Sequence, residues 1–323
     1  MRRRQFIALV SATAACRTIA ARAQQPAMPV IGLLSGTHFN PPEVEGVRQG
    51  LGDAGFKEGG NIRIAYRSAE GHYDLLPSRA SDLVRRDAAV IVTIGGAASA
   101  PAAKAATTTI PIVFVNGADP VKLGLVSSRP GGNVTGVSFL VNSLSAKRVE
   151  KLHSLIPSAE LIGFLINPQN PSHDSESREV EGAAKALGEE LQLQPAADEA
   201  DIDAAFENFA QRRVAAISVA ADAYFLSRRN QIIRLASQYK LPGIYPREEY
   251  VTSGGLMSYA PRPADAYRLA GAYVARILKG ERPAELPVQQ SDKVYLSIDV
   301  KTAKALGLAV SPNLLALADK VIE

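Results

Sequence analysis

Short runs of β-branched and aliphatic residues alternate with longer stretches of helical period from residue 30 to about residue 245, and no other feature constrains the fold of this 323-residue chain as strongly. A strand covered by helices on both faces reads as an unbroken apolar run, and successive strands joined by crossover helices lie parallel. Strands are expected at 30–35, 62–66, 89–94, 112–115 and 134–139, with helices at 43–54, 75–86 and 98–107 between them. The unit then repeats: helix 145–155, strand 161–166, helix 175–191, a short strand near Gln192, helix 202–212, strand 215–219, helix 224–239 and strand 243–245.

The remainder is less regular. A strand at 255–259, a helix at 264–279 stopped by Gly280, and extended segments at 286–289 and 294–298 precede a last helix at 312–322, with Ser311 as its cap and Pro312 in its first turn. Elements left over after two complete arrays imply that the chain crosses back between two units, with crossings near Phe139 and Tyr259. The expected fold class is α/β, with two doubly wound lobes of parallel sheet joined by a hinge. Residues 24–138 with about 260–287 form the first lobe, and 139–259 with about 288–323 the second. The length suits two cores better than one.

Residues 1–23 read as a signal peptide of the twin-arginine type. Arg3 and Arg4 lead through Gln5, Phe6 and Ile7 into a short apolar run, and Ala21 and Ala23 stand three and one before a scissile bond at Gln24. The alternatives are an ordinary secretory signal that carries three arginines, and a poor lipoprotein signal at Thr13 to Cys16 with Cys16 lipidated. No segment is long enough to span a membrane, so the mature protein is expected in the periplasm. Removing the leader also changes the charge. The whole chain carries +4, but five of its 36 basic residues (Arg2, Arg3, Arg4, Arg17 and Arg22) and none of its 32 acidic ones lie in residues 1–23, which leaves a net charge of about −1. A nucleic-acid partner loses its main support. The single cysteine is Cys16, so the mature chain has no disulfide and no thiolate site.

No Gly-x-Ser-x-Gly elbow, phosphate loop or dinucleotide fingerprint occurs, and His38, His72, His153 and His173 lack metal-ligand spacing. No catalysis, cofactor or metal is expected. In parallel sheets ligands sit beyond the carboxyl ends of the strands. The candidate ligand-binding residues there are Ser35, Thr37, Gly95, Gly96, Asn116 and Asp119 in the first array, and Asn167, Asn170, Asp222, Tyr245, Glu248 and Tyr259 in the second. Gly95 and Gly96 open a helix, either as a tight strand-to-helix turn or as a site whose backbone N–H groups would be presented to an anionic ligand group. Amide and hydroxyl groups with a few carboxylates suit a small polar solute or zwitterion. Phe39, Tyr224, Phe225, Tyr245 and Tyr259 are the aromatic residues nearest the expected cleft.

Several stretches carry a family resemblance: Gly50 to Gly59 with Asn61; Ala106 to Val115 with Asp119, Pro120 and Val121; and Arg129 to Val137. Leu241 and Pro242, Gly254 to Tyr259, Ile277 to Gly280, Leu286 and Pro287, and Ala303 to Gly307 continue it. On these the chain resembles the exported substrate-binding proteins of a bacterial ABC transporter family that includes tryptophan- and tyrosine-binding members. The resemblance implies a type I periplasmic-binding fold, a small ligand such as an amino acid, aromatic ones first, held in the interlobe cleft, and delivery to an ABC transporter permease. The expected state is a monomer that meets the membrane only through that permease. A ligand sensor presenting its closed form to a membrane receptor, or an exported α/β enzyme, are the alternatives.

Overall fold

The computed structural model describes residues 28–126, 132–139, 141–290 and 293–323. The leader, with its twin arginines and Cys16, lies outside the described residues. The strands of the first array are β1 (Val30–Ser35), β2 (Arg63–Ser68), β3 (Val90–Ile94), β4 (Ile112–Asn116) and β5 (Val134–Ser138). Those of the second are β6 (Leu161–Ile166), β7 (Glu190–Pro195), β8 (Ala216–Val219), β9 (Gly243–Tyr245) and β10 (Met257–Ala260), and the tail adds β11 (Gln289–Gln290), β12 (Tyr295–Asp299) and β13 (Lys320–Ile322).

These strands form two sheets, ordered β11-β5-β4-β3-β1-β2 and β13-β12-β10-β9-β8-β6-β7. Every pair is parallel except β10 with β12. The doubly wound α/β architecture read from the alternation is the one observed, with a sheet in each of two lobes. Strands β3, β4 and β5 are buried at every position, as expected where helices cover both faces. Registers Ser35↔Ile94 and Asn116↔Ser138 end neighbouring strands level, so their C-terminal loops gather along one edge.

Among the described residues the chain passes between the sheets after β5, after β10 and after β11. Helix Ala264–Leu278 follows a strand of the second sheet yet packs on helix Pro41–Asp53 of the first lobe. Glycines permit this: a Cβ on Gly50 would lie 1.9 Å from the Arg268 carbonyl oxygen, and one on Gly271 2.2 Å from that of Val47. The Thr135 hydroxyl donates to the Leu286 carbonyl at 2.8 Å, and β11 then pairs with β5, so first-sheet structure runs to Gln290, past the expected 287.

Three of the expected helices differ most from the sequence reading. The last is helical only over Pro312–Ala316, capped by the Ser311 hydroxyl, and residues 320–322 are strand. Asp319 is the cause: its N–H donates to the Leu296 carbonyl and its carboxylate accepts from the Leu296 N–H, which draws the chain onto the edge of β12. Helix 175–191 is instead His173–Leu187, stopped where Gly188 turns left-handed (φ 76°), and β7 follows. Helix 224–239 is two helices, Ala223–Ser227 and Arg229–Gln238.

Candidate functional site

Strand ends of the two sheets face one another across a cavity of about 310 Å³, at the small end of the range for ligand sites. The loop after β1 contributes Thr37, His38, Phe39 and Asn40, the turn after β3 Gly95 to Ala97, and the end of β4 Asn116 and Gly117. From the second lobe come Ala221 to Ala223 after β8, Leu226 and Arg229 from the helices that follow, and Pro246 and Arg247 after β9. Glu43, Val115, Phe139, Val141, Asn142 and Tyr267 also line the cavity.

Five of the residues expected at the site line this cavity: Thr37, Gly95, Gly96, Asn116 and Asp222. Three more stand directly behind it. Ser35 is fully buried, and its hydroxyl accepts from the Thr37 N–H at 3.3 Å, shaping the loop after β1. Asn167 and Asn170 donate side-chain N–H groups to Asp222, at 3.2 Å on Oδ1 and 2.8 Å on Oδ2. Asp222 also caps helix Ala223–Ser227 through the Phe225 N–H at 3.1 Å. Burial raises its pKa, and these donors only partly offset the rise.

The other four point elsewhere. Asp119 caps its own turn by accepting from the Val121 N–H at 2.8 Å, and faces a separate interlobe groove with Lys122 and Glu179. Tyr245 stacks on Tyr250, with ring centroids 4.8 Å apart, in a core slot that Gly243 and Gly255 leave open. Glu248 is clamped by Lys320 at 2.6 Å and Arg262 at 3.0 Å. Burial favours its neutral form, but the two cations outweigh that and hold the carboxyl below its usual range. Tyr259 lies under the Lys151 ammonium, 5.8 Å from the ring centroid.

The sequence reading did not single out Glu43, Phe139, Asn142, Arg229, Arg247, Tyr267 or Tyr73. Glu43 and Arg247 are both buried and approach the cavity from opposite lobes. Burial raises the pKa of Glu43 against the pull of Arg247 and hydrogen bonds with Tyr267 and Asn40. For Arg247 burial acts downward, yet Glu249, Tyr267 and Glu43 outweigh it and the guanidinium stays charged. Arg247 is held by Glu249 through Nε at 3.2 Å. Apolar walls come from Phe39, Val115, Phe139, Val141 and Leu226. Arg247 had a legible signal, since it is the first long polar side chain beyond β9. Glu43 had almost none, because an acid in a helix's first turn is ordinary.

Where the chain leaves β5 for the second lobe, a fully buried ion pair fixes its path. Arg148 donates to the Val141 carbonyl at 3.0 Å, to the Ser145 hydroxyl and to Glu176 at 3.2 Å. Glu176 also accepts from Ser145, from the Ala221 N–H at 3.0 Å and from Asn142 at 3.0 Å. Two cavity residues, Val141 and Asn142, and the Ala221 backbone are thereby tied to one charged centre. Burial presses both partners toward neutrality: Glu176 is raised, and Arg148 is lowered to about 10. Among the described residues no group of three or more His, Cys, Asp or Glu side chains is placed to hold a metal ion.

Residues 30–322 match the model of a family described as ABC transporter substrate binding protein. The chain is 28% identical over 266 residues to a tyrosine-binding protein of Clostridioides difficile (strain R20291), covering 82% of this chain and 76% of that one. Among solved structures it resembles the ABC domain of a Streptococcus pneumoniae protein in complex with L-Trp, at 25% identity and a TM-score of 0.82. It also resembles the ligand-free, open structure of a Clostridium difficile substrate binding protein with adhesive properties, at 25% identity and a TM-score of 0.63. Both matches cover 91% of this chain and 99% of the other. At equal identity and coverage, the chain as a whole superposes better on the ligand complex.

Proposed function

The chain belongs to the ABC transporter substrate-binding protein family, and from that premise we propose that it captures an aromatic amino acid between its lobes and delivers it to a permease. One observation carries the ligand class: a cavity of about 310 Å³ that combines apolar walls with buried charges of both signs. Phe39, Val115, Phe139, Val141 and Leu226 offer a ring an apolar seat, where burying a side chain of that size contributes about 1.5–3 kcal/mol. Glu43 and Arg247 offer opposite charges to a zwitterion, and the backbone at Gly95 and Gly96 with the Asn116 side chain offers donors to a carboxylate. The tyrosine-binding relative and the L-Trp complex support the same class.

The ligand-contacting set under this reading is Thr37, Phe39, Glu43, Gly95, Gly96, Asn116 and Arg247. Ser35, Asn167 and Asn170 act behind it, while Asp119, Tyr245, Glu248 and Tyr259 have other work. The first lobe comprises residues 24–138 with about 260–290, and the second the rest of the mature chain. The leader directs export to the periplasm by the twin-arginine route, and the protein works there as a monomer without catalysis.

A thermal-shift screen over amino acids, sugars and nucleosides tests the ligand class. A solute at a hundred times its dissociation constant adds about 2.7 kcal/mol, which raises the melting temperature by roughly 5–10 °C at this size. Such shifts with L-tryptophan or L-tyrosine are expected. Shifts confined to sugars or nucleosides would discard the aromatic amino acid.

A further inference from the structure

Tyr73 sits in the short 3-10 turn Tyr73–Leu75 of the first lobe, largely buried, and its hydroxyl donates to Asp222 Oδ2 of the second lobe at 3.2 Å. The other three donors to that carboxylate, Asn167, Asn170 and the Phe225 N–H, belong to the second lobe. A carboxylate offers about four lone-pair sites, so Asp222 is fully occupied by protein with the lobes as they stand here. Of these four donors, Tyr73 alone belongs to the first lobe.

The backbone around Tyr73 is shaped for that contact. The Gly71 N–H donates to the Gly36 carbonyl at 2.9 Å and the His72 N–H to that of Ala69 at 2.8 Å, which fixes the turn to the first sheet. A Cβ on Gly71 would lie 2.8 Å from the Tyr224 ring, and one on Gly96 3.0 Å from the Ala223 Cβ. Both glycines hold positive φ, 94° and 108°. The first lobe thus presents bare backbone to helix Ala223–Ser227, whose cap is Asp222. A second interlobe pair, Lys122 with Glu179 at 3.3 Å, is exposed and holds the lobes weakly.

Resting on the solute-receptor reading above, we propose that Tyr73 is a closure latch: a positioning residue whose hydroxyl engages Asp222 only when the lobes shut, so that Asp222 stabilises the closed state and does not anchor the ligand. Opening leaves Asp222 with its three same-lobe donors and frees the Tyr73 hydroxyl to water. The free energy of this bond therefore adds to the affinity for any solute that closes the cleft.

The test is Tyr73→Phe, which keeps the ring and removes one hydroxyl, compared with wild type, Asp222→Asn and the double variant. Affinities for L-tryptophan and L-tyrosine come from calorimetry, and interlobe distances from spin labels on exposed sites of each lobe. Loss of a hydrogen bond to a charged group weakens binding about ten- to a hundredfold, and the factor should be the same for both amino acids. Free Tyr73→Phe should populate open distances more than free wild type, and the effect of Tyr73→Phe should largely vanish in the Asp222→Asn background. Unchanged distances and affinity, factors that differ between the two ligands, or additive effects in the double variant would each overturn the latch. If neither amino acid binds wild type, the ligand reading fails separately, and the distance distributions of the free proteins still decide the latch.

Discussion

Replacing Arg148 by Met should destabilise the protein by about 3–5 kcal/mol at neutral pH, the usual cost of removing one partner from a buried ion pair. Arg148 is fully buried and links the Val141 carbonyl, the Ser145 hydroxyl and Glu176, so three acceptors lose a donor at once. Glu176 keeps the Ala221 N–H, Asn142 and Ser145 as donors, which places the cost within that range and not above it. For a chain of this size the loss lowers the melting temperature by roughly 6–20 °C.

The pH dependence makes this prediction sharper. Burial already raises the Glu176 pKa above its ordinary value of 4.5, and losing Arg148 raises it further. A carboxyl whose folded pKa lies above its unfolded value contributes stability that is full below the unfolded value and is lost as pH rises through the folded one. The Arg148→Met deficit against wild type should therefore shrink as pH falls from 8 toward 5. Glu176→Gln leaves a guanidinium that stays charged throughout this range, so its deficit should not shrink. The double variant should be less destabilised than the sum of the singles. Denaturant midpoints for the four proteins at several pH values decide the matter. A deficit for Arg148→Met below about 1 kcal/mol, or one that grows toward acid, would refute the reasoning.

Two further outcomes follow from where side chains point. Asp119→Ala should leave affinity for L-tryptophan within about twofold by calorimetry, because Asp119 caps its own turn away from the cavity, whereas Arg247→Met should lower it by tenfold or more through loss of a charge-assisted contact. Changing Arg3 and Arg4 together to Lys should retain precursor in the cytoplasm, while intact mass of exported wild type should correspond to a chain beginning at Gln24; a lipid-modified mass beginning at Cys16 would overturn that start site.

Most of the fold was legible because it is written at short range. Strand β1 and the helix Ser145–Leu155 fall at the positions that periodicity assigns, since apolar period and turn residues are local quantities. Strand β13 was not legible: three residues carry no period, and their conformation depends on Asp319 meeting Leu296, 23 positions away. The kink that splits 224–239 was missed for the opposite reason, since helical period continues through Arg228.

The cavity was legible as a place but not as a chemistry. Choosing polar residues at strand ends rests on topology, and it located Thr37, Gly95, Gly96, Asn116 and Asp222. It could not say which of them would be free to meet a ligand. Asp222 offered an unpaired carboxylate on paper, yet Asn167 is 55 residues away in sequence and Tyr73 is 149, and together with Asn170 and the Phe225 N–H they occupy it. Tyr245 and Arg247 show the complementary failure. Neighbours two apart in a strand share a face, but the chain leaves β9 at Tyr245 through Pro246, so Tyr245 stays in the core beside Tyr250 while Arg247 swings into the cavity. A strand-end rule identifies the loop; only the packing of the opposite lobe decides which side chain in that loop still has a hydrogen bond to give.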